Sequence, residues 1–362
     1  MRKRISAIIN KLNISIMMMI VVLMIGCGQQ AVEAGKDGAA AATGGRSLSE
    51  VLMEVGKSAE NAFYSFMALV PDTLGLRVTK DTKKNEVGGY FNSLGGKLGK
   101  ASDELEEVAK KSEVEGAKDG PIAVAIRAAV DTAKTTLSTL KEHLESLKGI
   151  GDDDKVGEAT SNQNGVAAST DELKGAFKAL KGIVDTAGKE GVAKPKAGDT
   201  AVKIGNADNK DGAKVLAAAA NAGRAVGDKA AAIVSAVSGE EMLASIVASQ
   251  EGDADAALAA DATAQTSALK FARGGGNAGQ LAKEAAKAAA VAGGIALRSL
   301  VKGGKLAANN NDDDKVVQSA GVTAVNKLLV AVEGIIKKTV KNVLEKAKGE
   351  IDKARAPKAT GQ

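Results

Sequence analysis

Apolar residues recur at alternating steps of three and four in five stretches of the chain, the spacing that places them on one face of an α-helix. The first seam is Leu48, Leu52, Val55, Ala59, Ala62, Phe66 and Leu69. Ser47 and Glu50 stand where a capping box opens a helix, and Pro71 closes it. The second seam is Val87, Phe91, Leu94, Leu98, Ala101, Leu105 and Val108. Gly88, Gly89, Gly95, Gly96 and Gly99 fall inside it, and each weakens a helix by up to ~1 kcal/mol relative to Ala, so they predict faces of close approach or a break. Pro121 suits the first turn of a third helix, whose seam is Ile126, Val130, Ala133, Leu137, Leu140, Leu144 and Leu147, with Gly149 as its stop. Ser169 and Glu172 form a second capping box ahead of Leu173, Phe177, Leu180, Val184 and Ala187. The last seam carries Val322, Val325, Leu329, Val332, Ile336, Val343, Ala347 and Ile351. This pattern predicts an all-α fold, an elongated antiparallel helical bundle with long Gly/Ala-rich and polar loops and few or no strands.

Between about 188 and 319 the pattern changes. Alanine and glycine dominate, the seams blur, and loops at 188–212, 274–279 and 303–316 interrupt the helical runs. Ala favours helix but buries little area, so this middle predicts close-packed helices with thin cores. The string Asp-Asp-Asp-Lys-Val occurs at 152–156 and again at 312–316, both between helical stretches.

The N-terminus carries a different signal. Met1-Arg2-Lys3-Arg4 is followed by an apolar run over 14–25, broken only by Ser15. As a helix that run covers about 18 Å, short of the roughly 30 Å of a hydrocarbon core, so residues 1–26 read as a removable signal peptide. Gly26 directly precedes Cys27, the only cysteine, in a pattern that resembles a relaxed bacterial lipobox. The lipobox implies cleavage between Gly26 and Cys27 and conversion of Cys27 to N-palmitoyl, S-diacylglycerol cysteine, because a single chain anchors only marginally. Residues 27–46 then form a lipidated, Gly/Ala/Gln-rich tether with an r.m.s. span of about 24 Å, and 47–362 form the helical body.

Composition changes meaning once the signal is set apart. The 362 residues hold 49 Lys and Arg against 44 Asp and Glu. Arg2, Lys3, Arg4 and Lys11 leave with the signal, so 45 basic residues remain and the body is close to +1. A near-neutral body without Trp and with 2 Tyr offers neither a field for phosphates nor a stacking platform, which argues against nucleic acid. One Cys and one His, His143, exclude disulfide frameworks and two-histidine metal sites.

Local motifs carry little chemistry. Gly274, Gly276 and Gly279 spell G-x-G-x-x-G, but helical sequence precedes them, so a flexible loop is expected and no cofactor. Gly56-Lys57-Ser58 lacks the earlier glycine of a P-loop, since Val51 stands there. The acidic runs 152–154 and 312–314 read as solvated loops, because consecutive carboxylates do not converge on one ion. His143 sits one step off its seam as a partly exposed helix residue, and Asp103, Glu104, Glu106 and Glu107 suit a solvated face. No catalytic, cofactor or metal residues are assigned, and no enzyme is expected.

Longer strings are specific. Ser58-Ala59-Glu60-Asn61-Ala62-Phe63-Tyr64-Ser65-Phe66, Val87-Gly88-Gly89-Tyr90-Phe91-Asn92-Ser93-Leu94-Gly95-Gly96-Lys97-Leu98-Gly99 and Ala324-Val325-Asn326-Lys327-Leu328-Leu329 resemble the variable large proteins of relapsing-fever Borrelia, relatives of VlsE. Ile295-Ala296-Leu297-Arg298-Ser299-Leu300-Val301-Lys302-Gly303-Gly304-Lys305 resembles that family's invariable segment. The resemblance implies a lipid-anchored, surface-exposed protein of the cell outer membrane that serves antigenic variation and immune evasion. Its implied partners are outer-membrane lipid, through acylated Cys27, and host antibodies. An alternative is an adhesin, with Lys337, Lys338, Lys341, Lys346 and Lys348 as a basic face for host-cell glycosaminoglycans. The seam-rich ends then form a framework, with the loop-rich middle displayed and a C-terminal helix over about 320–355.

Overall fold

The computed structural model describes residues 75–355 apart from 114–119, 162, 205–206 and 310–311. Signal, tether and the first predicted helix lie outside the described residues. Two long helices come first, α1 (Lys84–Ser112) and α2 (Pro121–Ser146), and they pack as an antiparallel hairpin. Gly88 lies against the Leu147 and Lys148 carbonyls just beyond the end of α2, and Glu106 pairs with Arg127 near its start. Gly88 and Gly95 therefore form the close-approach face, Gly89 and Gly96 point away from it into open space, and α1 runs through all of them without a break. Every residue of the second seam is buried, as is every residue of the third.

Helix α3 (Thr170–Lys189) begins after Ser169, whose hydroxyl bonds the Glu172 carboxylate, and buries Leu173, Phe177, Leu180, Val184 and Ala187. The middle holds shorter helices: α4 (Gly227–Ser235), α5 (Gly239–Val247), α6 (Ala268–Arg273), α7 (Ala278–Leu281) and α8 (Ala288–Leu300). Two 3-10 turns, Lys210–Leu216 and Glu251–Ala254, join them. The chain ends in α9 (Asp313–Arg355), which has 43 residues.

Strands are minimal among the described residues. β1 (Ala159–Thr160) pairs in parallel with β4 (Leu306–Ala307), and β2 (Lys203–Ile204) pairs antiparallel with β3 (Ala207–Asp208). Single bridges join Lys83 to Lys155, Val166 to Lys305, Ala201 to Lys287 and Ala217 to Gly275. The all-α expectation holds.

Two expectations are corrected. The last helix starts at Asp313, inside what the sequence suggested was a loop reaching Val316. The middle is also not thin inside. All residues of α8 are buried, and it packs against α4, α5, α6 and α9. Ile295, Leu297 and Val291 at zero exposure contribute about 1.5–3 kcal/mol each by leaving water. A helix apolar all round has no polar face to set a period, which is why its seam blurs.

Candidate functional surface

Cys27 and Gly26, the residues expected to carry the lipid and the cleaved bond, lie outside the described residues, as does Gly56. The glycine motif at 274–279 follows α6, not a strand. Gly274 sits at φ 76°, and a side chain there would collide with the Arg298 guanidinium and the Leu216 carbonyl. Gly274 and Gly275 are seated on the core, and Gly276, Asn277 and Gly279 are exposed.

The acidic runs are corrected as well, because in each of them one residue ties distant backbone together. Asp152 accepts the Gly303 N–H at 2.7 Å and lies 3.9 Å from the buried Lys84 ammonium. Asp313 is buried and accepts the N–H groups of Val226 at 3.0 Å and Gly227 at 2.8 Å. Asp312 stays exposed, and among the described residues no group of three His, Cys, Asp or Glu could hold a metal ion. Glu106 is half-buried, bonded to Arg127 at 2.8 Å and to Lys134, and those partners hold its carboxyl down to about 2. His143 is half-buried, its ring lying over Gly182 of α3, and burial pushes its pKa below the ordinary value.

The basic face of α9 is interleaved with acids. Lys338 pairs with Glu240 at 3.7 Å, Lys341 with Glu345 at 3.7 Å, Lys346 with Glu190 at 2.8 Å and Lys348 with Asp352 at 2.7 Å. Lys337 is exposed beside Glu333. The face presents alternating signs rather than a positive field.

Two buried cations escaped the sequence reading. Lys84, at 0% exposure, donates to the carbonyls of Gly304 at 2.6 Å and Val301 at 3.2 Å, and burial pushes its pKa down. Arg298, also at 0%, donates Nε to the Ala272 carbonyl at 2.7 Å and Nη1 to the Ala217 carbonyl at 3.2 Å. Burial, with Arg273 nearby, pushes Arg298 down to about 9. The signal was present in the sequence, since one Arg in the apolar run 295–301 can be buried only where hydrogen-bond acceptors await it.

What the fold offers to solvent is a set of loops around this core. The stretches 190–201, 219–225 and 255–266 are mostly exposed and 276–285 is half exposed with Leu281 and Ala282 buried, whereas 286–301 is buried apart from Lys287. The sequence model of the Borrelia lipoprotein family matches residues 59–351. Variable large protein 18 of Borrelia hermsii is 76% identical over the full length of both chains. The chain belongs to the variable large proteins.

Variable large protein 14 of the same organism is 31% identical over 96% of this chain and 92% of its own, so members diverge widely at nearly constant length. The crystal structure of the Lyme disease variable surface antigen VlsE of Borrelia burgdorferi matches with a TM-score of 0.66 at 27% identity, covering 84% of this chain and 98% of that one. The kinship is with lipoproteins and surface antigens, not with enzymes. In this variable large protein, the stretch resembling the invariable segment is buried from Ile295 to Val301, and only Lys302 within it is exposed.

Proposed function

We propose that this variable large protein is a surface-exposed lipoprotein of the outer membrane, anchored through acylated Cys27, whose role is immune evasion by antigenic variation. The observation that carries the reading is full-length kinship with proteins named for their variability, together with a likeness over 84% of the chain to one solved as a variable surface antigen. The distribution of surface agrees with it. Exposed loops at 190–201, 219–225 and 255–266, with the exposed part of 276–285, surround the buried α8, so much of the accessible surface lies where the core constrains sequence least. Changing loop length costs little, because closure entropy grows only logarithmically.

Antisera raised against the folded chain test the role. On intact cells they are expected to bind chiefly these loops and to lose binding when the loops are exchanged for those of a relative. Binding that maps instead to α1, α2 and α9 would overturn the reading. The anchor is tested separately, since Cys27→Ala is expected to leave unprocessed precursor without metabolic lipid label. Label on that variant would refute the assignment.

A further inference from the structure

Several polar side chains along α9 bond main-chain atoms of other segments. Asp313 takes the N–H groups of Val226 and Gly227, at the N-terminal end of α4. Lys327 donates to the carbonyls of Val237 at 2.7 Å, Val234 at 2.8 Å and Ser235 at 3.2 Å, at the other end of the same helix. Asn326 takes both main-chain groups of Val78, each at 2.9 Å. Gln318 donates to the Lys80 carbonyl at 2.9 Å, and Asn342 to the Glu190 carbonyl at 3.0 Å, just past α3. On α8, Arg298 does the same for Ala272 and Ala217, at the C-terminal ends of α6 and of the 210–216 turn.

These contacts answer a physical need. A helix leaves four N–H and four carbonyl groups unpaired at its ends, and its dipole favours an acid at the start and a cation at the finish. In α4 the residues at the cap positions are Val226 and Ala236, which have no polar side chain to supply. Asp313 and Lys327 provide both signs from a different helix, at the correct ends.

We infer that α9, with Arg298, is a clamp whose buried and half-buried polar contacts to α4, to Val78 and to the ends of α3 and α6 fall on main-chain atoms, so that this part of its hold is indifferent to the side chains those segments carry. A main-chain group is present whatever the residue, proline's missing N–H aside. The clamp explains how a displayed segment changes its sequence and keeps its seat. Its purpose rests on the antigenic reading above, but its existence does not, and the test uses no antibody.

The test is a double-mutant cycle in the full chain, read by amide hydrogen exchange over 227–238. One arm is Lys327→Met. The other combines Ala232→Gln, at a partly exposed position, with Ser235→Lys and Ala236→Gln, at exposed ones. The triple exchange is expected to leave protection nearly unchanged. Lys327→Met is expected to speed exchange about tenfold or more, as loss of hydrogen bonds to a charged group does, and by the same factor in the triple background. No local change on losing Lys327, or a factor that depends on the exchanged side chains, would overturn the clamp. If Lys327→Met does not fold, Lys327→Gln and Asn326→Leu give the same reading, the latter over 76–80. A failed cycle with loop-directed sera leaves the antigenic reading standing, and an intact cycle with framework-directed sera does the reverse.

Discussion

Adding one methyl group to α1 at Gly88 or at Gly96 is expected to move stability in opposite directions. At Gly96 a Cβ meets nothing within 4 Å and the site is exposed, so Gly96→Ala gains only helix propensity, about 1 kcal/mol. At Gly88 the same atom would fall inside 3.0 Å of the Lys148 carbonyl oxygen and 3.1 Å from that of Leu147, where ordinary contact begins at 3.4 Å. Both obstacles are backbone, so α1 must back away by roughly 1 Å to restore ordinary contact. That gap opens along Phe91 and Leu94, and overpacking of this kind costs ~1–3 kcal/mol. Set against the same propensity gain, Gly88→Ala is expected to lose up to about 2 kcal/mol. Urea denaturation followed by helical circular dichroism reads both variants, with Gly89→Ala, also free of neighbours within 4 Å, as a local control. A rise in midpoint for Gly88→Ala would refute the close approach of α1 and α2 at this point.

Ala219 is the one non-glycine among the described residues with positive φ, at 62°, and it is exposed. Ala219→Gly is expected to stabilise by up to ~1 kcal/mol in the same denaturation assay, and a loss would contradict the strained geometry. His143 sets a pH dependence. Its folded pKa lies below the ordinary value through burial, opposed by Glu142, so the unfolded chain takes its proton first as pH falls. Its contribution is complete above about pH 6.5, declines as pH drops through that value and levels off below the folded pKa. His143→Gln is expected to flatten that decline, and parallel curves for the two chains between about pH 7.5 and 5.5 would argue against it.

The long seams were legible because a helix with one wet face imposes its period on the sequence. Val87 through Val108 and Ile126 through Leu147 are buried as that period requires. Where the environment has no wet face the period vanishes, and α8, the most enclosed helix, went unread for that reason. The two Asp-Asp-Asp-Lys-Val strings show a second limit. The copy from 152 lies in irregular backbone, while 313–316 of the other opens a 43-residue helix, so partners distant in sequence decide. The carboxylate of Asp313 illustrates this, since it serves α4 although it begins α9. Arg298 was visible only as a charge in an apolar run and Lys84, in a polar stretch, not at all, and their carbonyl partners, up to 220 residues away, were out of reach of any local pattern.

The bridge between Val166 and Lys305 has a mechanical meaning. Each donates its N–H to the other's carbonyl at 3.0 Å, and β1 pairs with β4 beside them, so the two ends of the middle are tied to each other main chain to main chain. Within that closed stretch the loops have ties of their own, Val202 to Ala286 and Ala288 to Thr200. A pull on one loop therefore meets a local pair of hydrogen bonds before it reaches the pair that closes the whole.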